Sequence, residues 1–365
     1  MKIYNKELEI RAKERWDSIA KPLDSLGKLE DSVIKIVGIK DCLIDIQLKK
    51  RALVIMCGDH GVVTEGVTQT NSNVTKIVTD NFALGQSTVC YMAEIAKVDV
   101  YPIDIGIDSE RYLTHKLSLN QVTDRKIARG TQNIKIKAAM TREECETAVL
   151  QGYNIVKELV EAGYDIIATG EMGIGNTTST SALAAAFFNL SAIEVTSKGA
   201  GLSKDGIDNK IKVVEHSVNR MNKELEEIEK KGKLSQIDRT WFILTQLGGF
   251  DICGMVGLFL GGARYGIPII IDGAISAIAA VFATSINENA INFMLPSHNS
   301  DEVSCQLALK YLGLFPLING NMCLGEGTGA VAVLPLIDMA INVFEKMGTF
   351  NENDIEKYVR FRDEE

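Results

Sequence analysis

Short apolar runs that alternate with helical stretches are the feature that most constrains how this chain folds. Each run ends at a glycine or a proline, and the runs lie at 52–58, 98–106, 164–170, 267–273 and 292–296. Stretches with helical spacing separate them, among them 141–162, 176–189, 205–225 and 301–313. Buried strands that alternate with helices are typical of α/β proteins. The chain is therefore predicted to form a Rossmann-like, mainly parallel sheet flanked by helices.

The two ends of the chain are predicted to form a second, smaller unit. A length of 365 residues suggests about two domains. We expect a large α/β domain over 36–329 and a small helical domain built from 1–35 together with 330–365. Within the large domain, Thr141 and Glu144 have the spacing of a capping box at a helix start.

The net charge and the pattern of cysteines limit which binding partners and which cellular compartment are expected. The net charge is −9 and the chain has no long basic run, so we expect no nucleic-acid partner and no membrane partner. The seven cysteines are scattered and never form a C-x-x-C pair, which argues against a zinc site or a disulfide framework and favours the cytoplasm. The apolar region at 252–284 is interrupted by Gly, Pro, Arg and Asp, which is typical of buried core.

The ends of the predicted strands carry the polar residues. They read GDHG at 58–61, GEMGIGNTT at 170–178, DGA at 272–274 and SHNSDE at 297–302. In open α/β sheets, ligands bind beyond the carboxyl ends of the strands. These stretches are therefore the candidates for one shared site.

The stretch at 170–178 has two interpretations. Its glycines are followed by Asn176, Thr177 and Thr178 at the start of an Ala-rich helix, where free N–H groups suit a phosphate. The same residues also suit a tight turn with a threonine cap. The glycine spacing is not that of a dinucleotide fingerprint or of a phosphate loop, which argues against a nicotinamide-dependent oxidoreductase.

Three further side chains, those of Lys210, His60 and Ser300, have both a structural and a functional interpretation. Lys210 is either a phosphate-binding cation or a surface lysine. His60, next to Asp59, is better interpreted as a hydrogen-bonded loop stabiliser than as a metal ligand, because the other histidines lack ligand spacing. Ser300 either binds substrate or caps the helix that follows it.

Glu326 lies in the stretch NMCLGEGTGA, between Gly325 and Gly327. Thr328 is expected to cap the next helix, and the positive end of that helix favours an ionised Glu326. Apolar neighbours such as Leu324 act in the opposite direction and raise the pKa of the carboxyl. A basic carboxylate is what a general base requires, although an acid that only complements the helix dipole fits as well.

Nine stretches of the chain, taken in order, resemble the nicotinate-nucleotide–dimethylbenzimidazole phosphoribosyltransferase family over nearly the whole length. They are KPLDSLGKLE, GDHGVVTEGV, GTQNIKIKAAMT, GEMGIGNTT, DNK, LGGFDI, IIIDGAISAIAA, SHNSDE and LGEGTGA. The resemblance implies transfer of phosphoribose from nicotinate mononucleotide to 5,6-dimethylbenzimidazole, giving α-ribazole 5′-phosphate and nicotinate. Because the pyridinium of the donor is already a good leaving group, no metal and no cofactor are expected.

The resemblance also implies roles for individual residues. Glu326 matches the general base, and Glu171 matches a second acid of the active site. Positions predicted to contact the substrates are Thr70, Gly173, Gly175, Asn176, Thr177, Gly199, Gly201, Lys210, Ser300 and Leu324. Relatives of this family suggest a dimer, either of identical chains or with a similar subunit.

Two departures from the family pattern bear on the acceptor. Cys323 stands where most relatives have arginine, and the segment 66–75 reads GVTQTNSNVT where relatives usually have GVS-x-Y-P. We therefore hypothesise a different acceptor base, such as a phenol like p-cresol or a small purine-like base. A weakly active or non-catalytic subunit of a heterodimer is the alternative, although retention of Glu326, Glu171 and Lys210 argues against it.

Overall fold

The computed structural model describes residues 2–199 and 201–359, and its centre is one six-stranded parallel sheet. The strands are β1 (Arg51–Gly58), β2 (Val98–Gly106), β3 (Thr123–Asp124), β4 (Ile166–Met172), β5 (Ile269–Ile271) and β6 (Met294–Pro296). Their order across the sheet is β3-β2-β1-β4-β5-β6, and every pair of neighbours is parallel. This is the Rossmann order, so the predicted fold class is confirmed.

The helices of the described residues surround this sheet. They are α1 (Lys6–Ser18), α2 (Lys28–Lys40), α3 (Asn73–Ala83), α4 (Thr88–Ala96), α5 (Arg142–Glu161), α6 (Asn176–Phe188), α7 (Ala192–Val195), α8 (Lys204–Glu229), α9 (Gln236–Leu247), α10 (Phe250–Tyr265), α11 (Ala274–Ile286), α12 (Val303–Leu312), α13 (Thr328–Ala332) and α14 (Leu334–Lys346). Short 3-10 segments lie at Gly61–Glu65, Glu288–Phe293 and Asn351–Asn353.

The five strands predicted from apolar runs are all present, and a sixth was missed. β3 has only two residues, so it left no apolar run to detect. The capping box at the start of α5 is confirmed. Thr141 Oγ1 accepts from the Glu144 N–H at 3.1 Å, and Glu144 Oε2 accepts from the Thr141 N–H at 2.7 Å.

The two faces of the sheet carry separate hydrophobic cores. Side chains alternate along β1, so Val54 and Met56 pack with α5, α6 and α8–α12. Leu53, Ile55 and Cys57 pack on the other face with α1, α2, α4, α13 and α14. Burial on both faces explains why the strands read as continuous apolar runs.

The helices near the two ends of the chain, α1, α2 and α14, pack together. The rings of Trp16 on α1 and Phe344 on α14 lie 5.1 Å apart, and both side chains are buried. The same core also includes sheet residues such as Leu53, so the terminal helices are continuous with one face of the sheet. The division into domains at 36–329 stays a prediction, and residue 1 and residues 360–365 of the small unit lie outside the described residues.

The stretch Thr328–Lys346 is the one candidate membrane span by length and hydropathy within the described ranges. It comprises α13 and α14, and 56% of its apolar window is buried inside the fold. Its apolar side chains therefore contribute to the core formed with α1 and α2.

Candidate active site

A cavity of about 260 Å³ opens at the carboxyl ends of β4, β5 and β6. It brings together six segments that are separated in sequence. The residues that line it are Val74, Val78, Glu171, Met172, Gly173, Ile174, Asn176, Thr177, Gly199, Asp272, Gly273, Ala274, Ile275, Ser276, His298, Ser300, Glu302, Cys323, Leu324, Gly325 and Glu326. It lies where ligands bind in a doubly wound sheet, beside the switch point between β1 and β4.

The backbone around Glu326 adopts three consecutive left-handed residues. The φ angles are +82° at Gly325, +60° at Glu326 and +87° at Gly327. A side chain with a Cβ resists this region, so the conformation of Glu326 has to be held by its surroundings. Glycine is required at 327, because a Cβ there would lie 2.4 Å from Leu53 Cδ1. The loop is thus shaped to present the glutamate beside β4.

Asp272 holds this loop in place. Its carboxylate accepts hydrogen bonds from the N–H of Gly327 at 3.2 Å and from the N–H of Ala330 at 3.0 Å. The expectation that Thr328 caps α13 is wrong. Gly327 is the N-cap residue, and the Thr328 hydroxyl donates to the Gly325 carbonyl at 2.8 Å. The sequence marked DGA only as a strand end, and nothing in it indicated a contact across 55 residues.

Glu326 is half-buried and faces the cavity. Its Oε2 is buried and has no hydrogen-bond partner among the described residues. Burial raises the pKa of this carboxyl above its ordinary value, and the nearby negative charge of Asp272 adds to the effect. A carboxylate of raised basicity with an unpaired oxygen is suited to accept a proton from a ligand.

Glu171 lies at the end of β4, beside the Glu326 loop. A Cβ at Gly325 would lie 2.4 Å from Glu171 Oε1, so only glycine allows this approach. The amide nitrogen of Asn176 donates to Glu171 Oε2. Burial raises the pKa of Glu171 to about 8, and the charge of Asp251 contributes in the same direction. The site therefore contains three carboxyls of raised pKa within one cavity, those of Glu171, Glu326 and Asp272.

The start of α6 provides the polar end of the cavity. Gly175 is the N-cap of this helix with φ +97°, and Asn176 is its first residue. Lys210 from α8 donates to Thr177 Oγ1 at 2.9 Å and is fully buried. The interpretation of Lys210 as a surface lysine is therefore wrong. Burial lowers the pKa of its ammonium to about 8.

The other predicted contact residues fall into two groups. Gly173, Gly199, Ser300 and Leu324 line the cavity, Leu324 at its exposed rim. Ser300 does not cap α12, since Glu302 is the N-cap residue. Gly201 and Thr70 lie outside the lining. The Gly201 carbonyl accepts a hydrogen bond from the Gln69 side chain, and Thr70 is exposed before α3. All roles in substrate contact stay predictions.

His60 is a hydrogen-bonded loop stabiliser, as the sequence indicated. Its Nδ1 lies 2.9 Å from Ser179 Oγ, and its Nε2 lies 3.0 Å from Asp251 Oδ1. Within the described residues, no three His, Cys, Asp or Glu side chains are grouped to hold a metal ion. Asp251 was missed as a candidate because no motif distinguishes it within LGGFDI.

Comparison with known proteins identifies the class of enzyme. A family model described as phosphoribosyltransferase matches residues 1–355. The fold is also that of a solved structure, CobT from Thermus thermophilus, with a TM-score of 0.86 and 30% sequence identity over 96% of this chain and 100% of that one. The chain is an enzyme of the α/β phosphoribosyltransferase class, which transfers pentosyl groups.

Two curated relatives specify the family. The chain is 38% identical to the nicotinate-nucleotide–dimethylbenzimidazole phosphoribosyltransferase of Ruminiclostridium cellulolyticum, over 98% of this chain and 96% of that protein. It is 40% identical to the enzyme of the same name from Clostridium acetobutylicum, over 95% and 94%. The chain belongs to the nicotinate-nucleotide–dimethylbenzimidazole phosphoribosyltransferase family.

Proposed function

We propose that this enzyme transfers the 5-phosphoribosyl group of nicotinate mononucleotide to a cobamide lower-ligand base, in cobalamin biosynthesis. The acceptor is 5,6-dimethylbenzimidazole or a phenol such as p-cresol. The bond from ribose C1′ to the pyridinium nitrogen breaks, and its electron pair leaves with nicotinate. A bond from C1′ to the acceptor nitrogen or oxygen forms, and the acceptor proton passes to Glu326.

The polar end of the cavity supports a phosphate-bearing donor. The N-terminus of α6 presents the positive end of the helix dipole, and Lys210 lies behind it as a buried cation that contacts Thr177. A Cβ at Gly199 would lie 3.1 Å from Thr177 Oγ1 and 3.3 Å from Lys210 Nζ, so the glycine keeps this corner open. The phosphate is assigned to this corner, which directs the ribose toward the two glutamates.

The observation that carries the proposal is the buried Oε2 of Glu326 in the cavity wall, which has no hydrogen-bond partner within the part of the chain that the structure describes. The raised pKa of Glu326 makes it a better base than an exposed glutamate. Proton transfer to it also neutralises a partly buried charge, so deprotonation of the acceptor is favoured by the same burial.

Glu171 is assigned to the ribose as its positive charge grows during the reaction. In the free protein its raised pKa keeps much of it protonated near neutral pH. The pyridinium cation of a bound nucleotide favours the ionised form. Glu171 is therefore proposed to acquire its charge when the donor binds and to stabilise the developing oxocarbenium ion.

The acceptor end of the cavity has an apolar wall. Val74 and Val78 lie one turn apart on α3, and Ile174 and Leu324 complete the surface. An alkylated benzimidazole or phenol leaves no polar group unpaired against such a wall. The amino group of adenine would lose its hydrogen bonds to water there, which disfavours the purine-like acceptor. The dimer and the cytoplasmic location stay predictions.

Nicotinate release from nicotinate mononucleotide, measured with each of three acceptors, tests the proposal. We expect turnover with 5,6-dimethylbenzimidazole or p-cresol, and little with adenine. A clear preference for 5,6-dimethylbenzimidazole over p-cresol would reject the phenol. Absence of nicotinate release with all three acceptors would reject the proposed function and favour a non-catalytic subunit.

A further inference from the structure

A chain of buried hydrogen bonds leads to Glu171 from three side chains outside the cavity lining, those of Ser179, His60 and Asp251. It begins at Ser179, whose hydroxyl lies 2.9 Å from His60 Nδ1, and continues from His60 Nε2 to Asp251 Oδ1 at 3.0 Å. The second oxygen of Asp251 accepts from the amide nitrogen of Asn176 at 3.2 Å. The same nitrogen donates to Glu171 Oε2. One carboxamide thus joins a carboxylate outside the cavity to one that faces it.

We propose that Asp251, held by His60, is a positioning residue that fixes the Asn176 amide and through it orients the Glu171 carboxyl. The inference rests on the proposed function, since it assigns Asp251 to the same reaction. Asp251 is fully buried and is not part of the cavity lining, so its hydrogen bonds reach Glu171 only through Asn176.

The chemistry of the amide explains why two acceptors are needed. A carboxamide has two N–H protons on one side and an oxygen on the other. With Asp251 and Glu171 each accepting one proton, the opposite orientation would set the amide oxygen against two carboxylates. Removal of one acceptor weakens this preference, and Glu171 then loses a fixed partner.

The surrounding backbone leaves little room for another arrangement. A Cβ at Gly249 would lie 2.1 Å from His60 Cε1 and 2.5 Å from Asp251 Oδ1. A Cβ at Gly173 would lie 2.9 Å from Asp251 Oδ2. The loops after β1 and β4 and the start of α10 therefore enclose the His60–Asp251 pair without a gap.

Asp251 also acts on Glu171 through its charge. Burial is the largest influence that raises the pKa of Glu171, and the negative charge of Asp251 is the next. The charge of Asp272, which follows β5, raises this pKa further. The other titratable groups that face Glu171 are Glu326, from the loop before α13, and the Cys57 thiol on β1. Replacement of Asp251 by asparagine leaves these groups in place. A weaker Asn176 hydrogen bond would raise the pKa of Glu171, but the repulsion by Asp251 is the larger influence, so the pKa of Glu171 is expected to fall.

An infrared titration of the Glu171 carboxyl tests the proposal without relying on turnover. The band of the protonated carboxyl is assigned by its loss in Glu171→Gln. In Asp251→Asn we expect the titration midpoint to move to lower pH. Asp165→Asn is the matched control, because Asp165 precedes the same strand at its opposite end and pairs with Lys40. It should leave the midpoint unchanged.

Steady-state kinetics separate positioning from a purely structural role. Asp251 Oδ1 also accepts from the Ile252 N–H at 2.8 Å, so a structural role predicts a loss of stability alone. We expect kcat of Asp251→Asn to fall about 10- to 100-fold while KM for nicotinate mononucleotide stays within about threefold. A folded variant with wild-type kcat and an unmoved midpoint would overturn the proposal.

An inactive wild-type enzyme and an unfolded Asp251→Asn variant lead to different conclusions. If the wild-type enzyme releases no nicotinate, the proposed function fails, while the infrared midpoint still decides whether Asp251 acts on Glu171. If Asp251→Asn does not fold, Ser179→Ala replaces it, because that change removes only the hydroxyl on His60 Nδ1. We then expect kcat to fall about three- to tenfold with KM unchanged. Wild-type kcat in that variant would refute the proposal.

Discussion

The carboxylate of Asp272 accepts a hydrogen bond of 3.2 Å from the N–H of Gly327, across 55 residues of sequence. A second bond, of 3.0 Å, comes from the N–H of Ala330. These N–H groups belong to the start of α13, where a helix has no internal acceptors. The end of one strand thus fixes the backbone that carries Glu326.

Replacement of Asp272 by asparagine is predicted to weaken both the fold and the reaction. The amide keeps one acceptor, but its NH₂ group then faces an N–H. We expect the free energy of unfolding to fall by about 1.5–3 kcal/mol, and kcat to fall because the Glu326 loop loosens. Chemical denaturation and nicotinate release measure the two effects.

Asp165→Asn is the matched control for that prediction. Asp165 also accepts two backbone hydrogen bonds, from the N–H groups of Lys49 and Lys50 at 3.0 Å each, at the opposite edge of the sheet. It should lose stability and retain kcat. An equal loss of kcat in both variants would show that general destabilisation, and not the loop, explains the effect.

Glu326→Gln is predicted to abolish most of the turnover while leaving the fold intact. Glutamine has nearly the same shape but cannot take the acceptor proton, so kcat should fall about 10²-fold or more. Glu146→Gln, at an exposed ion pair with Arg142 on α5, serves as a control with unchanged kcat. Near-normal turnover in Glu326→Gln would show that Glu326 is not the general base.

Gly325→Ala is predicted to displace Glu171. The new Cβ would lie 2.4 Å from Glu171 Oε1, in addition to adopting φ +82°. Gly163→Ala isolates the effect of φ, because Gly163 has the same φ of +82° and no atom of residues 2–199 or 201–359 lies within 4 Å of the added Cβ. Both variants should lose about 1–2 kcal/mol of stability.

The kinetic result then distinguishes the two glycines. Only Gly325→Ala should lose kcat, because only its methyl group contacts Glu171, the carboxyl proposed to stabilise the ribose cation. Thermal unfolding and nicotinate release on the same samples check this. Equal kcat in the two variants would contradict the close approach of the loop to Glu171.

Lys210→Met is predicted to weaken binding of the donor phosphate. The change removes a buried ammonium, so KM for nicotinate mononucleotide should rise about 10- to 100-fold, as expected for a lost charge-assisted hydrogen bond. Nicotinate riboside, which lacks the phosphate, is the control donor. It should be used equally well by the wild-type enzyme and the variant.

The same lysine predicts a pH dependence. Because burial lowers the pKa of Lys210 to about 8, the free enzyme loses this cation as the pH rises through that value. The kcat/KM for the mononucleotide should therefore fall above about pH 8 relative to that for the riboside. Ionisation of Glu171 changes the kcat/KM of both donors equally. The ratio of the two kcat/KM values therefore reports the ionisation of Lys210 alone. A constant ratio across this range would argue against a phosphate at Lys210.

Much of the fold could be predicted from the sequence, because the patterns that mark strands and helix ends involve neighbouring residues. Continuous apolar runs gave five of the six strands, and the capping box gave the start of α5. The two-residue β3 was not predicted, since a strand of that length has no periodicity. The prediction that Thr328 caps α13 was wrong, because Asp272, which follows β5, accepts the hydrogen bonds from the start of this helix.

Some features of the candidate site could be predicted from local sequence, and others are visible only in the structure. Local patterns in the chain specified the α/β order of elements and the glycine-flanked stretches at the strand ends, because period and turn chemistry depend on neighbouring residues. The three-dimensional arrangement alone established that Lys210 is buried, that Asp251 reaches Glu171 through Asn176, and that Glu326 is held at φ +60°. Burial, charge and strain depend on residues brought together from distant parts of the chain, so no local pattern encodes them.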